Sequence, residues 1–270
     1  MDVFDRYAPF IQDFIYRSNW ESLRAIQAAA GEAIFNTDEN VLLSASTASG
    51  KTEAAFFPIL TLFSEDMPRS VGAIYIGPLK ALINDQFTRL TELCEEADIP
   101  VWHWHGDAAQ SHKAKMLKNP SGILQITPES LEAMLLRKHA LIPKLFGDLR
   151  FIVIDEVHSL MRGDRGGQTL CLIERLSKLA GVQPRRIGLS ATIGDLEATG
   201  EFLRPLPDPV ADVHLLHVWV GLEQGNEVFR EGTAADDSHC QFFAHGRTSF
   251  APGCCAGVCE LFVRDAVTAF

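Results

Sequence analysis

Five short apolar runs rich in β-branched residues recur along the chain: "NVLLSAS" from Asn40, "VGAIYIGP" from Val71, "GILQITP" from Gly122, "RFIVIDE" from Arg150 and "RRIGLSAT" from Arg185. Between them lie longer stretches with helical spacing, such as "LKALINDQFTRLTELCEEA". A strand that is apolar on successive residues has no face to give to water, so both faces must be covered, and helices between successive strands cover them. The pattern predicts an α/β fold: a doubly wound, mostly parallel sheet with its ligands at the carboxyl ends of the strands.

The first run leads into "SASTASGKTEAAFFPIL", a strand, a small-residue loop and then a helix in which Ala55, Ile59, Leu62 and Phe63 recur at helical spacing, with Pro58 expected to bend it. In that setting the loop of Ala48, Ser49 and Gly50 offers backbone N–H groups at a helix N-terminus. Lys51 offers an ammonium for β and γ phosphates, and Thr52 a hydroxyl for Mg²⁺. Ala45 and Ala48 stand where loop glycines are usual, so whichever position needs a left-handed backbone is expected to bear strain.

The run "RFIVIDE" delivers Asp155 and Glu156 at a strand end, followed by His158. One carboxylate beside a phosphate loop can hold Mg²⁺ and the other can orient the attacking water, the two tasks a hydrolase of this kind asks of acids. An ordinary pair of solvated acids closing a strand is the bland alternative, and the upstream GKT loop weighs against it.

Taken in order, "ASTASGKT", "PLKALINDQ", "TPESL", "DEVH" and "LSAT" match motifs I, Ia, Ib, II and III of superfamily-two helicases. From about Phe10 to Pro205 the chain resembles the first, RecA-like lobe of the DEAD/DEAH-box group. "PLKALINDQ", "HGD", "DEVHS" and "LSATIGD" look most like its large helicase-related (Lhr-type) members. The resemblance implies Mg-ATP as cofactor and DNA or RNA as partner, with Lys51, Asp155 and Glu156 as catalytic residues and Thr52 and Asp155 holding the metal. It implies that His158, Ser190 and Thr192 couple nucleotide state to strand movement. It also implies that Gln27 reads adenine with Phe10 stacking on the base, although Arg24 stands where many relatives have proline.

Nucleic-acid backbone contacts are expected from Pro78 to Lys80 and from Thr127, Pro128 and Glu129, at strand ends where a helix begins. Such contacts do not depend on base sequence. Without the other motifs, "TPES" reads simply as a capped helix start and Lys80 as a solvated charge. In "VWHWHGD" the alternation is that of a strand, so Trp102 and Trp104 are read as packing. His103 and His105 are not read as a metal pair, for want of further ligands at suitable spacing.

Composition sets outer limits. A net charge of -11 argues against a bulk electrostatic grip on nucleic acid, leaving a local basic strip as the means. No apolar run approaches the roughly 18 residues of a membrane span, and "MDVFDRYAPF" lacks the basic start of a secretory signal, so the expected location is the cytoplasm, away from membranes.

Residues 1–205 are read as the ATP-binding domain and residues 206–270 as a tail of unassigned structure, truncated or out of frame. The tail has no lysine and four of the six cysteines, Cys240, Cys254, Cys255 and Cys259. A zinc site there with His239 or His245 fits no common ligand spacing. No motif of a second lobe is recognised in the tail, so the isolated chain is expected to hydrolyse ATP poorly, with a second lobe supplied in trans. The rival is a non-catalytic, nucleotide-dependent adaptor for a protein partner.

Overall fold

The five apolar runs become strands β1 (Asn40–Ser44), β2 (Val71–Ile76), β4 (Gly122–Ile126), β5 (Phe151–Ile154) and β6 (Arg185–Ser190), while β3 (Val101–Trp104) is the tryptophan and histidine alternation. A seventh strand, β7 (His217–Gly221), comes from the segment that patterning left unassigned. The structure is a computed structural model. It describes residues 2–203 except 21, 47–48, 80–82, 84–87, 89, 161–163, 192–198 and 200–202, together with 217–221. All of these belong to one compact unit.

The seven strands form one sheet in the order β3-β4-β2-β5-β6-β1-β7, and every neighbouring pair is parallel. Alternation within each strand divides the apolar residues between two layers. Val41, Leu43, Ala73, Tyr75 and Val153 face one, where helices Pro9–Arg17, Ala25–Asn36 and Lys51–Glu65 lie. Leu42, Ile74, Ile76, Ile152 and Ile154 face the other, covered by Pro128–Arg137, Ile142–Phe146 and Asp164–Ala180. Each fully buried Leu, Ile or Val contributes about 1.5–3 kcal/mol, so the sheet is held by its two helix layers as well as by its ladders.

Pro58 does not interrupt its helix, which runs unbroken over Lys51–Glu65. Trp102 and Trp104 pack against the second layer, as the strand alternation suggests. Helix Ala25–Asn36 is tied to the sheet through Arg185 on β6, whose guanidinium donates to Ile34 O at 2.8 Å, Ala33 O at 3.2 Å, Thr37 Oγ1 at 3.0 Å and Glu39 O. At the helix's C-terminal end, where carbonyls run out of helical donors, Ala33 O already accepts from Thr37 N at 3.2 Å and Thr37 Oγ1 at 2.9 Å, and the fork adds to these and reaches Ile34 O.

Candidate nucleotide and nucleic-acid site

Because the strands are parallel, their carboxyl ends share one edge of the sheet. Ser44 pairs with Ser190, and Ile76 pairs with both Ile126 and Ile154. The segments that follow these residues therefore arrive together, although residues as distant as Lys51 and Glu156 carry them. β6 lies between β1 and β5, so Ser190 emerges between the loop after β1 and the carboxylates after β5.

The loop after β1 turns at Gly50, whose φ of 83° is left-handed and which caps helix Lys51–Glu65. Only glycine adopts this without strain. A Cβ at that position would also lie 2.7 Å from Gln27 Nε2. Ala45, by contrast, is buried with an ordinary negative φ, so the strain expected from an alanine does not fall there. Ala48 lies outside the described residues, as do Lys80 and Thr192.

Lys51 Nζ donates to Ala45 O at 2.7 Å and Ser46 O at 2.8 Å, so the ammonium is held by the residues that follow β1. Phosphate oxygens would compete with those two carbonyls for it. Burial lowers the Lys51 pKa, while the charges of Glu156 and Asp155 work against that shift. Thr52 and Glu53 open onto a cleft lined by Phe14, Trp20, Leu90 and Leu93.

Asp155 is 8% exposed, and burial raises its pKa, opposed chiefly by a hydrogen bond from the Tyr75 hydroxyl to Oδ2. Its Oδ1 accepts from Glu156 N at 2.9 Å. Glu156 itself holds a φ of 52°, an unusual backbone for a non-glycine residue and one that clusters at functional sites. Its Oε2 lies 3.2 Å from His158 Nε2, and His158 Nδ1 lies 3.0 Å from Ser190 Oγ. With Nε2–H donated to the carboxylate, Nδ1 accepts the Ser190 hydroxyl proton, so one imidazole links the second motif to the third.

Gln27 is fully buried. Its Oε1 accepts from Arg24 N at 3.0 Å, while its Nε2 has no hydrogen-bond partner and lies beside Gly50. A buried donor left unpaired is rare and asks for an explanation. Phe10 packs against the first apolar layer.

Pro78, Leu79, Gly106, Thr127, Glu129 and Ser130 line a groove further along the same edge. Thr127 Oγ1 accepts from Ser130 N at 3.3 Å and caps helix Pro128–Arg137, with Pro128 in its first turn. Thr127 is thus the expected cap at the expected place.

Three participants escaped sequence reasoning. Tyr75, which touches Asp155, is signalled only by a hydroxyl in the otherwise apolar "VGAIYIG". Arg165, which reaches Pro78 O at 2.7 Å and Glu129 Oε1 at 2.6 Å, is signalled only by a lone base in "GDRGGQ". His112 stacks on His103 with ring centroids 4.8 Å apart, and His103 stacks on His105 at 5.3 Å. Burial, with His112 and His105 adding to it, lowers the His103 pKa to about 4. Among the described residues no group of three or more such side chains has a geometry able to hold a metal ion. Nor, among them, is any helix long and apolar enough to cross a membrane.

A parallel sheet of this order, with GKT after β1 and Asp-Glu after β5, defines the RecA-like class of P-loop domains. The profile of the DEAD/DEAH box helicases matches residues 24–199, and the chain belongs to that family. It is similar to the ATP-dependent helicase Lhr-Core of Methanothermobacter thermautotrophicus, with 39% identity over 61% of this chain and 20% of that protein. To the Lhr-Core helicase of Saccharolobus solfataricus it is 34% identical, over 75% of this chain and 24% of that protein. The chain therefore spans 20–24% of the length of these two relatives.

Among solved structures, the helicase Lhr of Mycobacterium smegmatis bound to ssDNA and AMP-PNP superposes with a TM-score of 0.65 at 28% identity, over 80% of this chain and 28% of that one. The DUF1998 helicase MrfA bound to DNA and AMPPNP gives 0.66 at 29% identity, over 74% of this chain and 28% of that one.

Proposed function

We propose that this chain is the ATP-binding motor lobe of an ATP-dependent DNA or RNA helicase. The observation that carries the reading is the His158 bridge, which joins Glu156 to Ser190 between the phosphate loop and the groove. The donor set fits Mg-ATP. Gln27 presents an unpaired buried amide donor beside Gly50, as a purine acceptor requires. Thr52 and Asp155 are the hard oxygen ligands that Mg²⁺ prefers.

In this reading Lys51 exchanges its two carbonyl partners for phosphate oxygens, and the N–H groups at the start of helix Lys51–Glu65 hold others. Thr52 and Asp155 would hold Mg²⁺, which would supply charge neutralisation for the phosphates. Glu156 orients the attacking water, and the water's departure shifts the carboxylate that His158 holds, which moves Ser190. The groove of Pro78, Thr127, Pro128 and Glu129, with Lys80 beside it in sequence, receives the backbone of a single strand. The ssDNA and nucleotide analogue bound to Mycobacterium smegmatis Lhr support both halves of the reading.

Charge growing on the transferred phosphate also needs a cation from a second lobe, a contribution of about 10³ to 10⁵ in rate. The lobe alone therefore supplies binding and positioning. Titration with a fluorescent ATP analogue tests the assignment: binding should be strong for the wild type and largely lost in Lys51→Ala. Equal binding by the two proteins would remove the nucleotide site from this edge.

A further inference from the structure

Arg165 belongs to none of the motifs recognised in the sequence and is not itself a lining residue of the groove, yet it bonds to two residues that are. It lies in the first turn of helix Asp164–Ala180, and its Nη2 donates to Pro78 O at 2.7 Å and to Glu129 Oε1 at 2.6 Å. Both acceptors belong to residues that line the groove, one on the segment after β2 and the other on the helix after β4. Those two bonds use both hydrogens of Nη2. A guanidinium carries five N–H donors in a fixed plane, so Nη1 and Nε keep three. The side chain is 41% exposed, so the guanidinium is within reach of solvent.

Resting on the motor-lobe reading, we propose that Arg165 is a phosphate-binding residue of the groove, oriented by Pro78 and Glu129 to offer Nη1 and Nε to the backbone of a bound strand. A planar fork suits a phosphate as it does a carboxylate, through paired charge-assisted bonds. Glu129 has two effects here. Its carboxylate holds the guanidinium in place and also lowers the local positive potential that a phosphate meets. The neighbouring Glu132 is engaged by Gln168 Nε2 at 3.1 Å, which leaves Glu129 as the acid paired with Arg165. In a chain of net charge -11, a cation fixed by two partners is the local device by which an acidic protein holds a polyanion.

The test is fluorescence anisotropy of a labelled single-stranded oligodeoxythymidylate across a salt series, with a non-hydrolysable ATP analogue present. Each phosphate contact to a single strand contributes about 0.7 to the slope of log affinity against log salt. Arg165→Ala should bind at least about tenfold more weakly, since even one of the paired charge-assisted bonds is worth that much, and its slope should fall by about 0.7. Arg165→Lys should keep most of the slope but recover only part of the affinity. Glu129→Gln, which retains an acceptor but sheds the competing charge, should tighten binding. Nucleotide affinity and the melting temperature of Arg165→Ala, measured alongside, establish that the fold is intact.

Weaker binding with an unchanged salt slope would make Arg165 a mere brace between the groove walls and overturn the proposal, as would binding equal to wild type. If Arg165→Ala does not fold, the lysine and Glu129→Gln variants decide. Weaker binding by Glu129→Gln, or full affinity in Arg165→Lys, overturns the proposal. Failure of the wild type to bind the strand at all would instead overturn the motor-lobe reading, and this inference with it.

Discussion

Replacing Gln27 with methionine should separate nucleotide recognition from stability, because the two ends of this side chain have opposite energetics. Gln27 Oε1 accepts from Arg24 N at 3.0 Å, and losing that bond costs about 1 kcal/mol. Nε2 is buried without a partner, and removing it relieves a desolvation penalty of about 1–3 kcal/mol. Methionine has nearly the same volume and bends to fill an irregular space. The nucleotide-free protein should therefore be as stable as wild type or up to about 2 kcal/mol more stable.

For a domain of this size that corresponds to a melting temperature unchanged or raised by up to about 6 °C. ATP loses its base contact, worth about 1.5 kcal/mol or roughly tenfold in affinity, while tripolyphosphate, which has no base, should compete equally well against both proteins. Thermal melts without ligand and competition titrations with ATP and tripolyphosphate supply the comparison. A lowered melting temperature with unchanged ATP affinity would refute the reasoning, since Gln27 would then be only a helix-start cap.

Two further perturbations follow from the same packing. Arg185→Ala removes the guanidinium bonds to Ile34 O, Thr37 Oγ1 and Glu39 O, together with a third bond to Ala33 O, which keeps Thr37 N and Oγ1, and should cost about 3 kcal/mol. A fall of roughly 10 °C in melting temperature is expected, and a change under about 2 °C would show the fork to be redundant. His103 has a folded pKa of about 4 against a usual value near 6.5, so between those values the unfolded chain binds more protons. Stability should therefore fall as pH drops from about 6.5 and level off below about 4, and denaturant midpoints of His103→Asn should vary less over that window than those of wild type.

What could be read from the sequence alone was whatever depends on neighbours along the chain. β1, β2, β4, β5 and β6 were legible because unbroken apolar, β-branched runs leave no alternative to burial on both faces. The strand-loop-helix setting of Gly50, Lys51 and Thr52, the carboxylates after β5 and the Thr127 cap were legible for the same reason, since each is a local pattern with one chemical sense. β7 was not, because its five residues lie in a segment without periodicity and pair only with a strand far back in the chain.

Tertiary structure alone decided the strand order, and with it every contact made across the edge. Register brings Ser190 beside His158, the Tyr75 hydroxyl onto Asp155, Gln27 against Gly50 and Arg165 between Pro78 and Glu129. His112 joins His103 only because helix Gln110–Lys118 folds back over β3. These pairs stand apart in sequence, and no local preference encodes them. They exist because two apolar layers close on a parallel sheet in one register, and a slip of a single residue would turn strand side chains such as Tyr75 and Ser190 to the opposite face.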